Sequence, residues 1–160
     1  MRIFVTVGAQ MPFDRLVAAV DRWAGEHPAH HVVAQIGKSE LEPTHLDWRQ
    51  FLQPPDFDRA FDEADAIVGH AGTGTLFAAM ERGTPILVMP RRAALHETRN
   101  DHQVATAKRF ERFDGISVAW DEIELPARLD ELPSLQGAAV LAHDAEGPLI
   151  ETVAAFIDRD

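Results

Sequence analysis

Three short polar stretches carry the residues whose types and spacing could do chemistry. The first is Gly69-His70-Ala71-Gly72-Thr73-Gly74-Thr75. Its glycines let the backbone turn sharply and come close to a ligand. Thr73 and Thr75 are good helix N-cap residues whose hydroxyls also reach an anion. A helix starting near Thr75 would aim free N–H groups and a positive dipole end at the turn, which suits a phosphate. The other reading is a plain strand-to-helix turn whose glycines serve packing. The second stretch is Asn100-Asp101-His102-Gln103, which opens a helix. Side-chain amides offer both donor and acceptor, as a sugar requires; alternatively Asn100 caps the helix and its neighbours are solvated. The third is Gly8-Ala9-Gln10, another glycine turn. Arg91, Arg92 and Arg99 cluster nearby. They read either as an anion contact, with Arg91 the candidate, or as solvated loop arginines.

Commoner chemistries fail on spacing. Gly8-Ala9-Gln10-Met11-Pro12 has one glycine where a dinucleotide fingerprint has three, and Gly69–Gly74 falls mid-chain. No lysine follows the glycines as a P-loop needs. His96, Asp101 and His102 match no zinc spacing, and the adjacent His30 and His31 would point to opposite faces of a strand. No metal site is expected. His70 has no serine or carboxylate constellation around it, which favours a role in locking the loop.

The elements that must position these stretches follow from periodicity. Apolar runs at 3–7, 31–36, 66–69, 86–89 and 116–120 read as strands, with a short one from Trp48 to Leu52 that Pro54-Pro55 breaks. Phe13, Leu16, Val17, Val20 and Trp23 recur at helical spacing after Pro12 and Asp14. Asp56 is placed to cap a short helix through Phe57, Ala60 and Phe61. A helix follows the central glycines up to the Gly83-Thr84-Pro85 stop. Another runs from about Asn100 through Val104, Ala107, Lys108 and Phe110. Residues 91–101 read as an exposed loop, 126–143 as a helix and an irregular link, and 147–157 as a final helix. The alternation implies an α/β fold: one open, mostly parallel, Rossmann-like sheet with helices on both faces. Ligands of such sheets bind at the carboxyl ends of the strands. That places Gly8–Gln10, His70–Thr75 and the 91–103 segment around one crevice.

Bulk properties narrow the partners. The 160 residues suffice for a single domain, 1–160, and 46% hydrophobic with 26% charged is ordinary globular composition. Absence of cysteine excludes disulfides and thiolate sites. A net charge of −11 counts against nucleic acid and anionic membranes. No run is long enough to span a membrane, and the opening residues read as a strand rather than a signal peptide, so a cytoplasmic protein is expected.

The motifs together carry a resemblance. Gly69–Thr75, Gly83-Thr84-Pro85 with Val88-Met89-Pro90-Arg91, Arg99–Gln103 and the opening Phe4–Gly8 with Phe13-Asp14-Arg15-Leu16 resemble the C-terminal donor domain of glycosyltransferase family 28. Its short branch includes bacterial exopolysaccharide subunits of the PssE/EpsE type and the cytosolic subunit of the eukaryotic dolichol-diphosphate GlcNAc transferase. The resemblance spans about residues 3–120.

It implies the C-terminal half of a GT-B enzyme and a nucleotide sugar, UDP-linked, as donor. It also implies a membrane-anchored partner that binds a lipid-linked saccharide acceptor and holds the chain peripherally at the membrane. His70, Gly72, Thr73, Gly74 and Thr75 would face the diphosphate. Asn100, Asp101, His102 and Gln103 would face the sugar, and Gly8, Ala9 and Gln10 the acceptor half. No metal or other cofactor is implied, and no catalytic base is found in this chain. The partner-facing side is expected to be apolar, with self-association covering it when the partner is absent. One departure concerns the ribose: Ala78 stands where the family often has a glutamate, with Glu81 one turn further on. A non-catalytic nucleotide-sugar-binding subunit and a two-component sugar-nucleotide enzyme such as an epimerase are the rival readings.

Overall fold

Strands with no polar positions need cover on both faces, and the molecule provides it. A computed structural model describes residues 1–137. Six strands form one sheet: β1 (Arg2–Thr6), β2 (His31–Gln35), β3 (Asp47–Arg49), β4 (Ala66–His70), β5 (Ile86–Met89) and β6 (Ile116–Val118). Their order is β3-β2-β1-β4-β5-β6, and every neighbouring pair is parallel. The four residues of β5 are all buried, as expected for a strand covered on both sides. The chain leaves β3 at one edge and returns at β4 beside β1. The strand order therefore reverses between β1 and β4, where parallel sheets open a crevice at their carboxyl ends.

Five helices supply the cover: α1 (Asp14–Glu26), α2 (Pro54–Asp62), α3 (Thr73–Arg82), α4 (His102–Phe110) and α5 (Leu125–Glu131). Alternate strand residues sort into two cores. Ile3, Val5, Val68 and Leu87 pack with Leu16, Val17, Val20 and Trp23 of α1 and with Leu125 and Leu129 of α5. Phe4, Ile67, Ile86 and Val88 pack with Phe61 of α2, Leu76 and Met80 of α3, and Ala107 and Phe110 of α4. Trp23 Nε1 donates to Asp130 Oδ1 at 2.8 Å and ties α1 to α5.

Several local expectations need correction. Pro54 and Pro55 do not merely end a strand; they open α2, whose N-cap is Gln53 and not Asp56. Proline fits there because its missing N–H would be unpaired in any case. The strand before it shrinks to Asp47–Arg49. Helix α3 begins at Thr73, two residues earlier than expected, with Gly72 in an extended N-cap conformation. The 91–101 segment is not a simple exposed loop: it contains a 3-10 turn at Ala93–Leu95, and Arg91 within it is buried. The expected helix at 147–157, and the end of the 126–143 segment, lie outside the described residues. No described helix is long and apolar enough to cross a membrane.

Helix α3 stops where Gly83 takes a left-handed conformation, φ 66°, and its N–H reaches the Met80 carbonyl at 3.3 Å. A side chain there carries a steric cost of about 1–2 kcal/mol. Gly83→Ala is expected to lower unfolding free energy by that amount in urea titration.

Candidate functional site

The turns after β1 and β4 and the β5–α4 loop meet at the carboxyl edge of the sheet. They enclose a crevice of about 640 Å³ lined by Gly8–Met11, His70–Gly74, Arg91, Thr98, Asn100, His102, Gln103 and Thr106. Of the residues singled out from the sequence, Gly8, Ala9, Gln10, His70, Gly72, Thr73, Gly74, Arg91, Asn100, His102 and Gln103 are thus brought together. Thr75 and Asp101 are not on the wall. Asp101 is turned away and accepts the Ala93 N–H at 2.8 Å, bracing the loop from outside. Ala78 and Glu81 also lie off the wall.

The two central glycines have different tasks. His70 stands between Gly8 and Gly72. A Cβ at Gly72 would collide with His70 Nε2, and one at Gly8 would come within 3.0 Å of His70 Cε1. Gly72 therefore makes room for the imidazole. Gly74 meets nothing within 4 Å, so it leaves open space in the crevice itself. Helix α3 has no side-chain cap and no acidic residue in its first turn. Its first N–H groups and positive dipole end open on the crevice uncompensated.

Arg91 corrects the picture of an arginine cluster. It is 4% exposed. Its Nη2 donates to the carbonyls of Val7 at 2.8 Å and Met11 at 2.6 Å, and its guanidinium carbon lies 5.0 Å from the centre of the Phe13 ring. Arg92 instead donates to the Trp120 carbonyl at 2.7 Å. The two are braces facing different neighbours, neither gathered nor solvated. Arg91 forms no ion pair among the described residues. Burial pushes its pKa down, with the Glu97 charge working the other way. An arginine nonetheless stays charged. Gln103, also 4% exposed, accepts the Arg91 backbone N–H on Oε1 at 3.1 Å, which leaves its amide NH₂ for another partner.

His102 Nδ1 hydrogen-bonds Asn100 Oδ1, and the His102 backbone N–H reaches the same oxygen at 3.2 Å. Asn100 thereby acts on the helix start and on the histidine at once. His70 is held well below the ordinary histidine range, at about 4, first by burial and then by the Arg91 charge, partly offset by the Thr6 backbone. Its buried Nδ1 has no hydrogen-bond partner among the described residues. At neutral pH it is an uncharged ring with hydrogen-bonding capacity.

Among the described residues no aspartate or glutamate lines the crevice, although the chain is strongly acidic. Its wall combines a helix N-terminus, a buried arginine, two histidines and three side-chain amides, Gln10, Asn100 and Gln103. Such a surface has the chemistry to suit an anion that also carries hydroxyl groups. Among the described residues no group of three or more His, Asp or Glu is placed to hold a metal.

Comparison with known proteins shows the family and the fold. Residues 2–134 match the model of the glycosyltransferase family 28 C-terminal domain. Among curated relatives, the mouse (Mus musculus) UDP-N-acetylglucosamine transferase subunit ALG13 is 27% identical over 121 residues, covering 69% of this chain and 10% of the relative. The human (Homo sapiens) protein of that name is 25% identical over 120 residues, with the same coverage. The chain thus matches about a tenth of the length of these relatives. An NMR structure of ALG13 superposes with a TM-score of 0.64 at 19% identity, covering 95% of this chain and 94% of that one. At such identity the likeness shows the fold.

The His70 shift has a measurable consequence. The folded state keeps the ring neutral, whereas the unfolded chain takes up a proton below pH 6.5. The stabilisation is therefore complete above pH 6.5 and is lost as pH falls towards 4. Between pH 7 and 4.5 this group should account for about 2–3 kcal/mol of lost stability. Urea unfolding of His70→Gln at the two pH values should show a decline smaller by that amount than the unmodified chain.

Proposed function

The chain belongs to the glycosyltransferase family 28 C-terminal domain family, and from that premise we propose that it is the donor-binding catalytic subunit of a two-component inverting glycosyltransferase. In this reading it moves a hexose from a nucleotide sugar, UDP-linked, to a lipid-linked acceptor in polysaccharide biosynthesis. The observation that carries the proposal is the acid-free crevice where the uncapped start of α3 meets the unpaired Arg91 charge. The names of the ALG13 relatives, transferase subunits acting with UDP-N-acetylglucosamine, support both the donor class and the need for a second component.

The mechanism assigned to this chain is the handling of the leaving group. The N–H groups of Thr73 and Gly74 take the diphosphate oxygens at the positive end of α3, in place of a metal ion. The charge of Arg91, buried where water screens it little, stabilises the extra negative charge that develops as the glycosidic bond breaks. Neutral His70 contributes a hydrogen bond without competing for the proton. The free amide of Gln103, with Asn100 and His102, orients the hexose. The acceptor hydroxyl needs a general base. Among the described residues the crevice wall carries no carboxylate, and in this reading a membrane-anchored partner supplies the base and the acceptor site.

A second observation supports that partner. Met11, an exposed large hydrophobic residue, lies on the crevice wall, and Leu41, Phe51, Leu95 and Ile123 are exposed elsewhere in segments that follow strands. Exposed apolar residues of this kind suit contact with a second protein. The same missing carboxylate also fits a purely binding subunit, and turnover separates the two readings. The isolated chain should bind a UDP-hexose and turn over poorly, and co-expression with its membrane partner should restore transfer. Full transfer by the chain alone would overturn partner dependence; no transfer with the partner would leave only the binding role.

Calorimetry tests the donor site itself. Gly74→Val should weaken UDP-hexose binding at least tenfold. Thermal stability should be equal or higher, because valine is a better helix former than glycine. Undiminished affinity in that variant would move the donor elsewhere.

A further inference from the structure

Arg15 lies in the first turn of α1, outside the crevice, and its guanidinium is fully engaged. Nε donates to Glu97 Oε1 at 2.8 Å and Nη2 to Glu97 Oε2 at 2.9 Å, a two-pronged pairing. Nη1 donates to Glu122 Oε2 at 2.8 Å, and Nη2 also reaches the Pro90 carbonyl at 3.3 Å. The side chains of Arg15 and Glu97 are only 13% and 12% exposed. Burial alone would lower the Arg15 pKa, but the hydrogen bonds to Glu97 and Glu122 reverse this and raise it. Glu97 Oε2 further accepts the Arg92 backbone N–H at 2.9 Å.

The position of Glu97 gives the pair its interest. It follows His96, the one non-glycine residue with positive φ (57°) among the described residues. That left-handed backbone is uncommon outside glycine and needs its surroundings to hold it. On its other side the chain runs directly into Thr98, Asn100, His102 and Gln103, all on the crevice wall. The opposite wall, built by α3, is positioned separately.

We propose that the Arg15–Glu97 pair is a positioning device for donor-sugar recognition. It fixes the β5–α4 loop so that the sugar-facing side chains stand ready before the donor arrives. Neither residue touches the donor. The inference rests on the donor-site reading above and deepens it. A bidentate arginine–carboxylate pair with low exposure suits the task, because it fixes angle as well as distance. Without it the loop would have to be ordered during binding, and that cost would fall on the sugar. The nucleotide diphosphate, held at α3, would lose little.

The experiment compares UDP with a panel of UDP-hexoses by calorimetry on the full chain, using the tightest hexose for the variants. Glu97→Gln keeps the shape of the side chain and removes its charge. Arg15→Lys keeps the charge and removes the fork. In each, the preference for UDP-hexose over UDP should fall at least fivefold while UDP affinity stays within twofold. The double variant should be no worse than either single one, because the two act through each other. Should Glu97→Gln fail to fold, Arg15→Lys carries the same comparison. An unchanged preference would overturn the inference, as would loss of UDP and UDP-hexose affinity in step, which marks a general structural lesion. A native chain that binds UDP and every UDP-hexose equally would overturn it too. A native chain that binds neither ligand would sink the donor reading itself, and that result is read before any variant is made.

Discussion

A guanidinium without a carboxylate is the interaction on which the site depends. Arg91 lies 4% exposed under the crevice, held by two backbone carbonyls and the Phe13 ring. Burying an unpaired cation is costly unless its hydrogen bonds are met. Here the carbonyls meet part of that need, and the aromatic face adds on the order of 1 kcal/mol. The bonds reach from the end of β5 to the turn after β1. They close the two sides of the strand-order reversal around β4. The same charge helps keep His70 neutral. With the open start of α3 it gives a strongly acidic chain a crevice suited to an anion.

Around this centre the loops are fastened rather than free. Gln103 holds the Arg91 backbone, Asp101 holds Ala93, and Arg92 holds Trp120. Arg15 grips the loop and the turn after β6 in one hand of hydrogen bonds. The crevice is therefore largely formed in advance, which reduces the ordering left for any ligand.

How much of this could be read from the chain depends on where the information sits. Strands β1, β4 and β5 are legible because strands covered on both faces become unbroken apolar runs. The parallel sheet and the crevice at its carboxyl edge follow from the alternation of elements, whereas the strand order is a property of the folded chain. The Gly83 stop is legible because glycine there answers a local backbone demand. Pro54-Pro55 misleads because proline opens helices as readily as it ends strands. The start of α3 misleads because Gly72 caps it through backbone conformation, with no polar side chain to announce it. The fate of Arg91 was out of reach for a stronger reason. Its partners are the carbonyls of Val7 and Met11, 84 and 80 residues away. Every residue owns a carbonyl, so nothing in the sequence marks those two. Arg15 and Glu97 likewise pair across 82 residues.

The central claim is that a nucleotide diphosphate sits between the start of α3 and Arg91. Amide-resolved NMR titration of the chain with a UDP-hexose tests it most directly. The account predicts the largest shifts at the backbone N–H groups of Thr73 and Gly74 and at the Arg91 side chain, with smaller ones at Asn100, His102 and Gln103. Shifts centred on the groove at the amino end of the sheet, around Arg2, His31 and Arg59, with α3 silent, would contradict it.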